Sequence, residues 1–123
     1  MEKLKFIKEQ MAKIGIPYNF GEWSSAIKYP YYVGEVTEDP ITTEDGLEES
    51  TFIVTGFHRG KRIDLEKDKE KIKKHFDPIC GLVGETENGA IIVFYDGAFY
   101  IPSGEATLQK IQINLKIKEW KGA

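Results

Sequence analysis

The apolar residues of the first segment, Leu4, Ile7, Met11 and Ile14, recur at spacings of three, four and three. That period puts them on one stripe of an amphipathic helix. Gly15 offers a stop and Pro17 forbids resumption, so a helix is predicted over residues 2–14. The period then disappears. Residues 15–29 hold Pro17, Gly21 and Ser24-Ser25, yet also Tyr18, Phe20, Trp23 and Tyr29. They read as an irregular segment pinned to the core by its rings.

Residues 30–37 and 50–58 are rich in β-branched and aromatic side chains and are predicted as strands. Between them, 38–49 carries Pro40, Asp45-Gly46 and several acids. It is too long for a tight turn and reads as a projecting loop or extended hairpin tip. A second helix is predicted over 64–76, starting at Ile63 or Asp64, with Leu65, Ile72 and Phe76 on one face and Asp77-Pro78 as its stop. Its other face alternates Lys and Glu, which places opposite charges three and four residues apart.

The last third reads as a meander. Asn88-Gly89 and Asp96-Gly97 are hairpin dipeptides that would separate strands near 81–86, 90–95 and 98–102. Beyond Pro102-Ser103-Gly104, Ile111, Ile113, Leu115 and Ile117 alternate strictly with Lys110, Gln112, Asn114, Lys116 and Lys118. A period of two means one dry face and one wet face. The order α-β-β-α-β-β-(β)-β predicts an α+β fold: a mainly antiparallel, twisted sheet with two helices on one face. A length of 123 residues suits a single domain over 1–123.

Composition narrows function mainly by exclusion. A net charge of −3 gives no overall attraction to nucleic acid. The basic residues from Lys67 onward alternate with acids, so sequence-specific nucleic-acid binding is not expected. The lone cysteine, Cys80, forms no internal disulfide and, in the apolar run Pro78-Ile79-Cys80-Gly81-Leu82, reads as a buried structural residue. The charged start, Met1-Glu2-Lys3-Leu4-Lys5, is unlike a signal peptide, and no apolar run suggests a membrane span. A cytoplasmic protein is expected.

Catalytic signatures are weak. His58 and His75 lie seventeen residues apart, outside any metal-ligand spacing, and no Gly-x-Ser-x-Gly elbow presents a serine. Gly81, Gly84 and Gly89 lead into a strand, the reverse of a phosphate cradle. No catalytic, cofactor or metal residue is assigned. Two alternatives stay open. One is a small-molecule or peptide-binding regulatory module with a pocket near Tyr18, Trp23 and Tyr32. The other is a hydrolase pairing Glu35 or Glu22 with His58.

Charge segregation is more informative. No Lys or Arg falls between Lys28 and Arg59, whereas Glu35, Glu38, Asp39, Glu44, Asp45, Glu48 and Glu49 do. The stretch 59–74 then carries eight basic residues against four acids. Opposite-sign patches suit a heterologous contact that repeats into a ring. The expected interface residues are Glu38, Asp39, Glu44 and Asp45 on one side and Arg59, Lys61 and Arg62 on the other.

The phrases Gly15-Ile-Pro-Tyr-Asn-Phe-Gly-Glu-Trp23, Tyr29-Pro-Tyr-Tyr-Val-Gly-Glu35, Thr42-Thr-Glu-Asp-Gly46, Phe52-Ile-Val-Thr-Gly-Phe57 and Ile111-Gln-Ile-Asn-Leu-Lys-Ile-Lys-Glu-Trp120 resemble a family. It is that of small tail-completion or tail-terminator proteins of phages and prophages of Gram-positive bacteria. The resemblance covers nearly the whole chain and contains no catalytic motif. It implies an α+β subunit without enzymatic activity that forms a ring, commonly a hexamer, at the head–tail junction. Its partners would be its own copies, the tail tube and the head connector. Its location would be the host cytoplasm during assembly and then the virion tail.

Overall fold

A computed structural model describes residues 2–21, 28–38, 47–86 and 89–121. In chain order these form α1 (Glu2–Lys13), β1 (Tyr18–Phe20), β2 (Tyr31–Glu38), β3 (Leu47–His58), α2 (Arg62–His75), β4 (Leu82–Thr86), β5 (Gly89–Tyr100) and β6 (Gln109–Lys121). The fold is α+β, with two helices and a curled six-stranded sheet ordered β1-β2-β3-β6-β5-β4. Every pairing is antiparallel except β1 with β2.

The sheet is built outward from β3 and β6, which pair without interruption from Leu47↔Trp120 to His58↔Gln109. The period of two in β6 is realised as expected. Ile111, Ile113, Leu115 and Ile117 are fully buried, and Gln112, Asn114, Lys116 and Lys118 occupy the opposite face. On the buried side they meet Phe52 and Val54 of β3, Ile91 and Val93 of β5, and Tyr32 of β2. Each such side chain contributes about 1.5–3 kcal/mol by leaving water. Both helices close over this face. Ile7 and Met11 of α1, and Leu65 and Ile72 of α2 with Phe76 at its end, belong to the same buried cluster.

α1 ends at a Schellman-type closure, in which Ile16 N donates to Met11 O (2.9 Å) and Gly15 N to Ala12 O (3.2 Å). Lys3, nearly buried, reaches Glu119 of β6 at 3.6 Å and fixes the other end of α1. α2 begins at Arg62, slightly before the predicted start, and stops at Phe76 as Asp77-Pro78 foretold.

The sheet departs from the sequence expectation in three places. First, Tyr18–Phe20 lies in the segment read as irregular, yet it forms a three-residue parallel strand, Tyr18 opposite Tyr32. So short a strand carries no readable period, and only its partner holds it. Second, Asp96-Gly97 is no hairpin. β5 runs straight through it with a register shift between Tyr95 and Ala98. Three residues of β5 there span two of β6, so the buried set passes from Ile91, Val93 and Tyr95 to Ala98 and Tyr100. The φ of +108° at Gly97 is what such a bulge demands. The true return to β6 is the loop at 101–108, where the Ser103 hydroxyl donates to Leu108 O (2.7 Å). Third, the connection predicted over 38–49 is shorter. Glu38 pairs with Ser50 at the end of β2, and Leu47–Glu49 belong to β3.

Gly56 shows how tightly the buried face is packed, because a methyl group there would overlap the Tyr32 ring. Gly56→Ala should lower stability by about 1–3 kcal/mol through overpacking, read as a shift in the urea midpoint at constant slope.

Candidate assembly surfaces

Most polar side chains around α2 hold the fold together. Asp64, Glu66 and Asp68 follow one another at two-residue intervals, and each meets a ring from a different strand. Asp64 Oδ2 lies 2.9 Å from His58 Nε2 of β3. Asp68 Oδ2 accepts the Tyr32 hydroxyl of β2 at 2.6 Å. Glu66 accepts the Tyr100 hydroxyl of β5 in a short bond, and Lys69 lies 2.8 Å from its other oxygen. Lys69, then Tyr100, hold the Glu66 carboxyl below its usual range. Burial, then Glu66, pushes the Tyr100 hydroxyl up to about 12. Tyr32, fully buried, is pushed higher still by burial and by Asp68.

The basic corner at 59–62 is largely engaged within the chain. Arg59 donates to Glu105 Oε2 (2.7 Å), Thr107 Oγ1 (2.9 Å) and the Tyr29 hydroxyl (3.2 Å), tying the β3–α2 turn to the β5–β6 loop. Arg62 lies 4.4 Å from the centre of the Tyr100 ring and 3.4 Å from Gln109 Oε1. Lys61 is exposed at the N-cap of α2. Of the expected acidic partners, Glu38 sits at the end of β2, while Asp39, Glu44 and Asp45 lie outside the described residues. The ladder places Glu38 at the far end of β2 from this corner.

The structure separates the residues of the two alternative functions. Tyr18 and Tyr32 are packed in the core, not along a cleft. Trp23 lies outside the described residues. Glu35 is exposed on the outer face of β2, and His58 is buried on the inner face of β3, so the two do not converge. Glu22 is not among the described residues. No group of three or more His, Cys, Asp or Glu among the described residues is placed to hold a metal ion.

Cys80 corrects the sequence reading, for it is exposed. The Asp77 carboxylate accepts both Ile79 N (2.7 Å) and Cys80 N (2.9 Å), folding 77–80 into a turn before β4 begins. Those bonds also hold the Asp77 carboxyl below its usual range. The apolar run is therefore displayed rather than packed, with Ile79 86% exposed.

One surface was not singled out from the sequence. A shallow depression of about 640 Å³ runs along the outward side of α2, lined by Ile63, Glu66, Lys67, Glu70, Lys71 and Lys74. Lys71 and Lys74 also line a second depression, of about 500 Å³, with Ile14 and His75 where the two helices end. The signal in the sequence was the spacing of Lys67, Lys71 and Lys74, which share one helix face. His75 Nε2 lies 2.7 Å from Gln10 Oε1; burial, then Lys13, holds its pKa below the ordinary value.

No helix among the described residues is long and apolar enough to cross a membrane. Compared with models of known families and with curated proteins, the sequence matches none.

Two outcomes follow from these contacts. Tyr32→Phe removes a buried donor to a carboxylate and should cost about 1.5–3 kcal/mol of stability, measured by urea denaturation. For His75, the folded state binds the proton less readily than the unfolded chain, whose pKa is near 6.5. Its contribution is therefore present above pH 6.5 and is lost as the pH falls below that value. The midpoint of unfolding should drop from pH 7.5 to 5.5 more steeply in the wild type than in His75→Gln.

Proposed function

We propose that this chain is a non-enzymatic structural subunit, a tail terminator or completion protein that assembles with its own copies into a ring at the head–tail junction of a phage. The observation that carries the reading is charge separation across the fold. Glu35, Glu38, Glu48 and Glu49 lie toward the free end of the β2–β3 hairpin, where Glu49 is met by Lys116 of β6 at 3.5 Å. The outward side of α2 presents Lys67, Lys71 and Lys74 beside Glu66, which Lys69 holds, and Glu70, and is net positive. Unlike patches on different parts of one subunit favour a head-to-tail contact and disfavour pairing of like with like.

The resemblance noted from the sequence phrases supports the same reading, and so does the use of the polar side chains. His58, Asp64, Glu66 and Asp68 are spent on fastening α2 to the sheet rather than on a common cleft. Assembly partners would be further copies, the tail tube and the head connector.

Sedimentation velocity at rising protein concentration tests the proposal. Self-association is expected in about 0.05 M salt and should weaken in about 0.5 M, because exposed charges are screened. A strict monomer at high concentration in low salt, with no binding to tail-tube or connector proteins, would end this reading.

A further inference from the structure

We infer that the basic strip along α2 receives the acidic segment 39–46 of a second copy, and that Arg59 and Arg62 are not its receptors. This identifies the contact surface within the assembly reading above and rests on it. Arg59 already contacts Glu105, Thr107 and Tyr29, and Arg62 lies on Tyr100. Lys67, Lys71 and Lys74 are exposed, and no carboxylate among the described residues pairs with them. Lys69, by contrast, is held by Glu66. The three ammonium groups flank a floor that is mostly carbon, with Ile63 54% exposed at one end and Ile14 at the other; of the two carboxylates in the same lining, Glu66 is neutralised by Lys69 and Glu70 leaves the strip net positive. Such a strip asks for an extended, acidic chain with an apolar residue in it. The segment Asp39-Pro-Ile-Thr-Thr-Glu-Asp-Gly46 has that chemistry, with Ile41 between its acids.

The dimensions agree. From Ile63 to Lys74 is about 16 Å of helix, which about five extended residues cover. The segment's own chain cannot supply the contact. Its ends are fixed at Glu38 and Leu47 by the ladders, so it reaches out at most about 16 Å and back. Lys67 adjoins Asp68, which is held by Tyr32, six residues or about 20 Å down β2 from Glu38. α1 also intervenes. Its Lys3 meets Glu119, opposite Glu48 at the acidic end, and its Gln10 meets His75 at the end of α2. The occupant is therefore another molecule's segment, and the contact is heterologous.

The test reverses each patch separately: Lys67→Glu/Lys71→Glu/Lys74→Glu, and Asp39→Lys/Glu44→Lys/Asp45→Lys, with folding checked by circular dichroism and urea titration. Two readouts are used at about 0.05 M salt: sedimentation velocity, and anisotropy of a labelled peptide of residues 36–50. Each reversed variant should fail to self-associate, and their equimolar mixture should associate again. The peptide should bind wild type and lose at least about tenfold in affinity on the lysine-reversed variant. If wild type and both variants associate alike, the contact lies elsewhere and this inference fails while the assembly reading survives. If wild type stays monomeric although it binds the peptide through these lysines, no second copy is received, and the inference and the ring reading both fail. No peptide binding overturns the inference, as does a short DNA duplex that binds the strip more tightly than the peptide does.

Discussion

The paired strands β3 and β6 are the constraint on which the rest of the structure depends. Their unbroken ladder sets one side of the sheet apolar for its whole length. β2 and β5 add to either edge only in registers that keep their own apolar residues on that side. The two helices then have one place to go. A slip of one residue between β3 and β6 would turn Ile111, Ile113, Leu115 and Ile117 to water together. Register is consequently the most strongly enforced feature of this chain, and the bulge at Asp96-Gly97 exists to keep β5 in phase with it.

How the second helix is fastened bears directly on function. Carboxylates on α2 meet rings on three separate strands, so the helix is held by directional contacts as well as by Leu65 and Ile72. That arrangement uses one side of a highly charged helix internally. It leaves the opposite side, with its lysines and Ile63, facing solvent. Glu35, Glu38, Glu48 and Glu49 lie on the half of the β2–β3 hairpin away from α2.

Much of this was legible in the chain before folding. The stripe in α1, the stop at Asp77-Pro78, the alternation in β6 and the hairpin closing at Thr86↔Gly89 each rest on a local period or a local turn preference. Local patterns also misled. Asp96-Gly97 has the chemistry of a turn, yet the strand on each side already had a partner, and the glycine served a bulge instead. Pro78-Ile79-Cys80 looked like the apolar entry to a strand, yet Asp77 captured the backbone and turned it outward. Arg59 and Arg62 looked like free cations. Their partners, Glu105, Thr107 and Gln109, lie more than forty residues away and could not be paired with them by spacing alone.

The sequence by itself determined which residues avoid water and with what period, and hence two helices, a mainly antiparallel sheet and one buried face. It also determined the uneven distribution of charge along the chain. Only the tertiary structure decided which charges remain available. Burial follows from a residue's own chemistry and its near neighbours, whereas the neutralisation of a charge depends on which distant group the fold carries to within about 3 Å of it.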